Sequence, residues 1–235
     1  MEEIIKKLAN RRNHEHIFTE IYKFKLWEAG QGEYYSGSGS HNPNIKEYVK
    51  IVGNLIKKMS FYNLVEIGCG DFFVTQSLLR SLDKLGCSYR YTGYDAVPSL
   101  IEKNIAEFQN KNVQFTCKDC AKQDIYSGDL LIIRQVLQHL DNRSILKILG
   151  KFPKFKAILV TEHQPSDIYG DLVKYNLDKT TNANIRVGNL SGVYLDKEPF
   201  NYSKGSVLHS FYAPFNGIEA FINTYLFSKD TLTLG

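Results

Sequence analysis

Gly68-Cys69-Gly70-Asp71 follows an apolar run, Leu64 to Ile67, and precedes an amphipathic stretch opening at Phe72 or Phe73. Strand, glycine turn and helix in that order form a cradle for a nucleotide-like ligand, because glycines let the backbone turn sharply and approach the ligand. A second apolar run, Tyr89 to Tyr94, ends in Asp95, placed to accept hydrogen bonds from both hydroxyls of a ribose. Three proton-transfer groups follow later core strands: His139 after the fourth, and Glu162 and His163 after the fifth. Glu162 stands beside His163 and is positioned to orient it or to act itself. His41 ends a Ser/Gly-rich loop and is a further candidate. Cys117 and Cys120 form a C-x-x-C pair, but zinc needs a second pair at similar spacing and Cys69 and Cys87 do not make one, so no metal is expected.

These residues resemble the class I S-adenosylmethionine-dependent methyltransferases. Glu66-Ile-Gly-Cys-Gly-Asp71 is similar to the family's acidic-x-Gly-x-Gly motif, and Gly93-Tyr-Asp95 to its ribose-binding position. Lys118-Asp119-Cys120 follows the third strand, where the family contacts adenine. Gln135-Val-Leu-Gln-His-Leu140 follows the fourth, where many members carry a similar Gln-His-Leu. The resemblance implies S-adenosylmethionine as cofactor, held by Glu66, Gly68, Cys69, Gly70, Asp95, Ala96, Asp119, Cys120, Arg134 and Gln135. It covers roughly residues 60 to 227. Phe72 stands where a third glycine is expected. That departure weighs against a dinucleotide, whose pyrophosphate needs close backbone approach, more than against a ligand without phosphate.

The elements that must position these groups alternate as strand and helix. Leu-Leu-Ile-Ile within Asp129 to Ile133 reads as a fourth strand buried on both faces, Val113 to Cys117 and Ala157 to Thr161 as the third and fifth strands, and Asp141 as the cap of the helix after the fourth. The expected fold is α/β, a Rossmann-like, mostly parallel sheet with helices on both faces and a C-terminal antiparallel hairpin, Val207 to Tyr212 with Ala220 to Phe227. Ahead of it lies an N-terminal helical extension. It carries one short apolar edge at Ile4, Ile5 and Leu8, another from Ile17 to Trp27, and a helix opened by Pro43. The expected division is 1–59 for this extension with its loop, and 60–235 for the cofactor domain.

Between fifth strand and hairpin, the stretch 166–204 exceeds an ordinary connection and reads as a substrate-side insertion, with Arg186 and Tyr194 as acceptor ligands. Tyr35, Ser38 and His41 come from the glycine- and serine-rich segment Gly30 to His41, which reads as a lid because adjacent tyrosines give a flexible loop something to dock.

The net charge of +4 is spread without a basic block, so nucleic acid is not argued for. No apolar run approaches the ~20 residues of a membrane span, and Met1 to Leu8 is charged and unlike a signal peptide, which leads to a cytosolic expectation. The expected activity is methyl transfer to a small molecule, most readily an oxygen nucleophile. The Ser-Gly segment, Glu162-His-Gln-Pro165 and the Ser191 to Asn201 stretch look similar to bacterial methyltransferases of polysaccharide or capsule sugars. The expected acceptor is thus a sugar or nucleotide-linked sugar, with RNA or protein, or a non-catalytic binding module, as rivals.

Overall fold

The computed structural model describes residues 13–27 and 34–228. The Ile4-Ile5-Leu8 edge and the start of the Ser/Gly segment, Gly30 to Glu33, lie outside the described residues. Helix α1 (His14–Lys23) is capped by the Asn13 side chain, which accepts from Glu15 N, and α2 (Ile45–Met59) follows the Ser/Gly loop. Five parallel strands then alternate with helices: β1 (Asn63–Ile67), α3 (Phe73–Lys84), β2 (Arg90–Asp95), α4 (Pro98–Phe108), β3 (Val113–Cys117), β4 (Gly128–Arg134), α5 (Asn142–Leu149) and β5 (Phe155–Pro165). A two-stranded parallel pair, β6 (Lys174–Tyr175) with β7 (Ser191–Gly192), lies in the insertion. The hairpin of β8 (Ser206–Tyr212) and β9 (Ala220–Ser228) completes a seven-stranded sheet in the order β3-β2-β1-β4-β5-β9-β8. Only β9 is reversed: it runs antiparallel to both its neighbours, β5 and β8. The fold is the one the alternation implies.

Its core explains the run of branched residues in β4. Leu130 and Ile132 pack with Leu64, Leu78 and Val52 on one face, while Leu131 and Ile133 pack with Val65, Ile145 and Ile148 on the other. Side chains alternate across a strand, so a central strand covered on both faces must be apolar throughout.

Two boundaries differ from expectation in a way that matters for the site. Strand β5 continues to Pro165 because β9 pairs with it along its whole length, up to Pro165 opposite Ala220. Glu162 and His163 are therefore strand residues facing opposite sides of the sheet, not partners on a loop. Phe72 adopts the left-handed conformation with φ 63°, so position 72 has the backbone a glycine would favour. The bulky residue is kept there by burial against Tyr91, Phe108 and Phe115, with ring centroids 5.4, 5.3 and 4.8 Å away.

Candidate functional site

The carboxyl ends of the parallel strands open into one cavity of about 1130 Å³. That is larger than the roughly 300–1,000 Å³ of a site for one small molecule. Its floor at β1 is the glycine turn. Gly68 and Cys69 N–H both donate to Tyr94 O, at 2.7 and 3.0 Å, and the Asn104 amide donates to Gly70 O at 2.8 Å. Gly68 has φ 72°, and a Cβ there would stand 2.4 Å from Val136 Cγ2; Gly70 has φ 52°, and a Cβ would meet Ser36 Oγ at 2.4 Å. Both positions therefore need glycine for conformation and for space.

Glu66 is buried at the end of β1 and accepts from Tyr91 Oη at 2.5 Å. Burial raises its pKa to about 7, against the opposing pull of the hydrogen bonds from Tyr91 and Thr75 and of Arg134. Asp95 takes Gly70 N–H on one oxygen and Val97 N–H on the other, both at 3.1 Å. Burial lifts it to about 6, with those N–H donors holding it down. Asp119 is pushed up by burial too, but His14, Lys122 and the Ala121 N–H outweigh that and keep its carboxyl below the ordinary value. Its Oδ2 is buried and accepts no hydrogen bond, though the Lys122 ammonium stands 3.3 Å away. All ten residues expected to hold the cofactor line this cavity: Glu66, Gly68, Cys69, Gly70, Asp95, Ala96, Asp119, Cys120, Arg134 and Gln135.

The Ser/Gly loop is tied across the glycine turn. Ser36 and Asp71 exchange hydrogen bonds, Ser36 N to Asp71 Oδ2 at 3.1 Å and Asp71 N to Ser36 Oγ at 2.9 Å. Arg134 donates to Gly39 O at 2.6 Å and to Ser40 Oγ at 3.2 Å, and its Nε is buried without a partner. Ser38 lines the cavity, whereas Tyr35 and His41 do not. His41 instead meets Asp71 Oδ2 at 2.8 Å and lies between the Tyr35 and Phe73 rings, at 4.6 and 4.2 Å. The expectation of these two as acceptor ligands is corrected: their faces are spent on fixing the loop from outside.

Arg186 and Tyr194 also stand apart from the cavity. Arg186 is 2% exposed and donates to the carbonyls of Leu177, Leu137, Gln138 and Leu140 and to Asn142 Oδ1. Lys179 donates to His139 O at 3.2 Å. Four successive carbonyls, 137 to 140, thus face cations from the insertion. Glu162 clamps the other side of the same turn, accepting Leu137 N–H at 2.9 Å and Gln138 N–H at 3.0 Å. It does not reach His163, so its expected orienting role is corrected to a structural one. Burial raises its pKa to about 8, against those two N–H donors and Arg186. Tyr194 packs edge-on to Tyr175 at 4.8 Å, and its backbone is bound by the Asn176 amide at 2.7 and 2.8 Å.

The two histidines differ. His163 lines the cavity and its Nε2 lies 2.6 Å from Ala213 O. A carbonyl only accepts, so Nε2 carries the proton and the neutral ring keeps its lone pair on Nδ1. Burial lowers its pKa, and the Ala213 hydrogen bond partly restores it. Gln138 connects the pair. His163 N–H donates to Gln138 Oε1 at 3.3 Å, which leaves the amide N–H to donate to His139 Nε2 at 3.3 Å. His139 Nδ1 is buried without a hydrogen-bond partner, and burial depresses the ring to about 3. Its Nε2 is occupied and its Nδ1 enclosed, so it is poorly placed as a base.

Composition-based reading missed the roof of the cavity. His14, Phe18 and Tyr22 line it from one face of α1, Trp27 from the turn beyond, and Ala213 to Asn216 from the hairpin turn. The 14-18-22 spacing was the available signal, on a helix face more aromatic than aliphatic.

No protein-family model matches the chain. Among solved structures, the N-methyltransferase NodS from Bradyrhizobium japonicum WM9, in complex with S-adenosyl-L-homocysteine, superposes with a TM-score of 0.59 at 12% identity, covering 91% of this chain and 100% of that one. The chain has the class I S-adenosylmethionine-dependent methyltransferase fold. The N-terminal domain of EvdMO1, crystallised in the presence of S-adenosyl-L-homocysteine and D-fucose, is similar over 93% of this chain and 99% of that one, with a TM-score of 0.51 and 12% identity. A curated relative, ribosomal RNA small subunit methyltransferase A of Mesomycoplasma hyopneumoniae strain 232, is 27% identical over 122 residues, half of this chain. The chain spans under half the length of that relative, 45%.

Proposed function

We propose that the protein is an S-adenosylmethionine-dependent methyltransferase that methylates a hydroxyl of a small acceptor, with a sugar or nucleotide-linked sugar as the favoured class. One observation carries the reading: a single cavity joins the glycine turn, Asp95 and Asp119 to His163. The residues present suit the cofactor. The cradle has room only for glycines at 68 and 70, and Arg134 Nε is a buried polar atom without a hydrogen-bond partner. Glu66 and the glycine turn would hold the methionine part, Asp95 the ribose hydroxyls and Asp119 the adenine amino group. When bound, the cofactor supplies an electrophilic methyl group. His163 Nδ1 takes the proton that a hydroxyl acceptor must lose, and Ala213 O holds the ring in the tautomer that makes this possible. EvdMO1, studied with D-fucose, supports a sugar as acceptor.

The relative that acts on ribosomal RNA supports a second reading. Against it, Arg134-Gln135-Val136-Leu137 occupies the place after β4 where base-modifying enzymes often carry an Asn-Pro-Pro-Tyr-like motif. Incubation with methyl-labelled S-adenosylmethionine and separate pools of neutral sugars, sugar nucleotides, ribosomal RNA and protein tests the proposal. Label in a sugar pool is expected. Label confined to RNA or protein would replace this acceptor, and no transfer to any pool would favour a binding module.

A further inference from the structure

His14, the first residue of α1, is buried, 6% exposed, and both of its ring nitrogens face acceptors. Nδ1 lies 3.0 Å from Asp119 Oδ1, and a carboxylate held below its ordinary pKa accepts only. Nε2 lies 3.3 Å from Ser144 Oγ. The Ser144 hydroxyl already donates to Asp141 Oδ2 at 2.9 Å, so its oxygen has only a lone pair to offer the ring. Both hydrogen bonds therefore exist together only in the imidazolium, which carries a proton on each nitrogen. The charged groups around it are Asp119 with its partner Lys122 on the turn after β3, and Asp141 at the cap of α5; the Phe18 ring stands edge-on at 6.3 Å.

The placement of this cation joins it to the cavity. The residues at 14, 18 and 22 share the α1 face that roofs the site. At the far end of that helix, the Tyr22 hydroxyl meets Ser36 Oγ at 3.0 Å, and Ser36 is bonded to Asp71 on the glycine turn. The roof is thus fastened at two points, one beside each end of the proposed cofactor site. Asp119 is shared between the fastening and the site: Oδ1 serves His14, while Oδ2 remains without a hydrogen bond.

We propose that His14 is a positioning residue that holds Asp119 in its adenine-facing geometry and, through its proton, latches α1 over the occupied cavity. The inference rests on the cofactor reading above for the identity of the ligand, but the bridge between α1, Asp119 and α5 is made by this chain's own residues. Loss of the proton removes one of the two donors and the ion pair with Asp119.

The test uses the full chain and S-adenosyl-L-homocysteine as probe. In the unliganded protein, nitrogen chemical shifts of His14 report whether both ring nitrogens are protonated at neutral pH. Stopped-flow dissociation, followed by the fluorescence of Trp27, the only tryptophan, reports the latch. His14→Gln is expected to raise the dissociation rate about tenfold, the size of one charge-assisted hydrogen bond, and to narrow the preference for S-adenosyl-L-homocysteine over its inosine analogue. Ser144→Ala, which removes only the weaker 3.3 Å contact, is expected to raise the rate by less. A neutral single-tautomer ring in wild type at neutral pH overturns the proposal, and so does a His14→Gln variant with the wild-type dissociation rate and the wild-type preference for the adenine form. A doubly protonated ring in a protein that binds no probe overturns the latch through its ligand, and separates that failure from failure of the bridge.

Discussion

Arg186 offers the largest single perturbation outside the cavity. Replacing it by Met keeps much of the volume but removes five hydrogen bonds: to the carbonyls of Leu177, Leu137, Gln138 and Leu140 at 3.2, 3.0, 3.1 and 2.7 Å, and to Asn142 Oδ1 at 2.9 Å. Leu137 O keeps the Leu140 N–H, so three buried carbonyls are left unpaired at about 1–3 kcal/mol each, roughly 3–9 kcal/mol if nothing moved. Water entry and relaxation of the 137–140 turn reduce this, and removing one partner of a buried charged network costs about 3–5 kcal/mol. Glu162, whose raised pKa Arg186 partly pulls back down, loses that favourable charge as well. For a chain of this size about 1 kcal/mol moves Tm by roughly 2–4 °C, so Arg186→Met is expected to lower Tm by roughly 6–20 °C. Differential scanning calorimetry measures it. A drop below about 2 °C would show that the carbonyls find other partners and that the insertion does not hold this turn. Tyr194→Phe, whose hydroxyl takes no part in that network, is the control and leaves Tm within about 2 °C.

The remaining predictions concern the site. His163→Ala is expected to lower kcat by about 10²–10⁴-fold on a hydroxyl acceptor, while His139→Ala has a far smaller effect and neither changes cofactor affinity much. Because burial lowers the His163 pKa, kcat rises with pH through a value below the ordinary 6.5 and then levels; a limb that survives in His163→Ala would assign it to another group. His139 is neutral in the fold, with a pKa near 3 against 6.5 unfolded, so its contribution to stability is full above about pH 6.5 and falls as pH drops toward 3. Urea melts of His139→Phe should lack up to about 1.4 kcal/mol per pH unit of that acid-side slope, and an unchanged slope would refute the burial argument. Gly39→Ala brings a Cβ within 2.2 Å of Gln135 Oε1 and is expected to loosen the loop that Arg134 holds; it should raise the dissociation constant for S-adenosyl-L-homocysteine severalfold by calorimetry, and an unchanged constant would separate loop from site.

Much of the fold was legible because local and global demands agree. Leu130 to Ile133 is apolar at every position because β4 is covered on both faces, and Asp141 precedes α5 because its side chain caps Ser144 N at 2.8 Å. The residues at strand ends were legible for a similar reason: strand order fixes where Gly68, Asp95 and Asp119 must emerge. Arg186 and Tyr194 were misread because their roles depend on partners far along the chain, at Leu137 to Leu140 and at Asn176. Glu162 beside His163 suggested a pair, but the two alternate across a strand that β9 extends, a fact of tertiary pairing. Trp27 and the α1 face escaped notice because aromatic residues on an amphipathic helix look like ordinary core until the sheet beneath them is known. Phe72 shows the reverse case: sequence preference forbids a bulky residue in the left-handed region, and the aromatic cluster below overrides it.

The central claim is that the cavity holds S-adenosylmethionine with its ribose on Asp95. Isothermal titration of S-adenosyl-L-homocysteine into wild type and Asp95→Ala tests it most directly. The account predicts saturable one-to-one binding to wild type and a loss of roughly 1.5–3 kcal/mol in the variant, about 10- to 150-fold in affinity, with the variant's Tm preserved. No binding to wild type, or the same affinity in a folded Asp95→Ala protein, would contradict it.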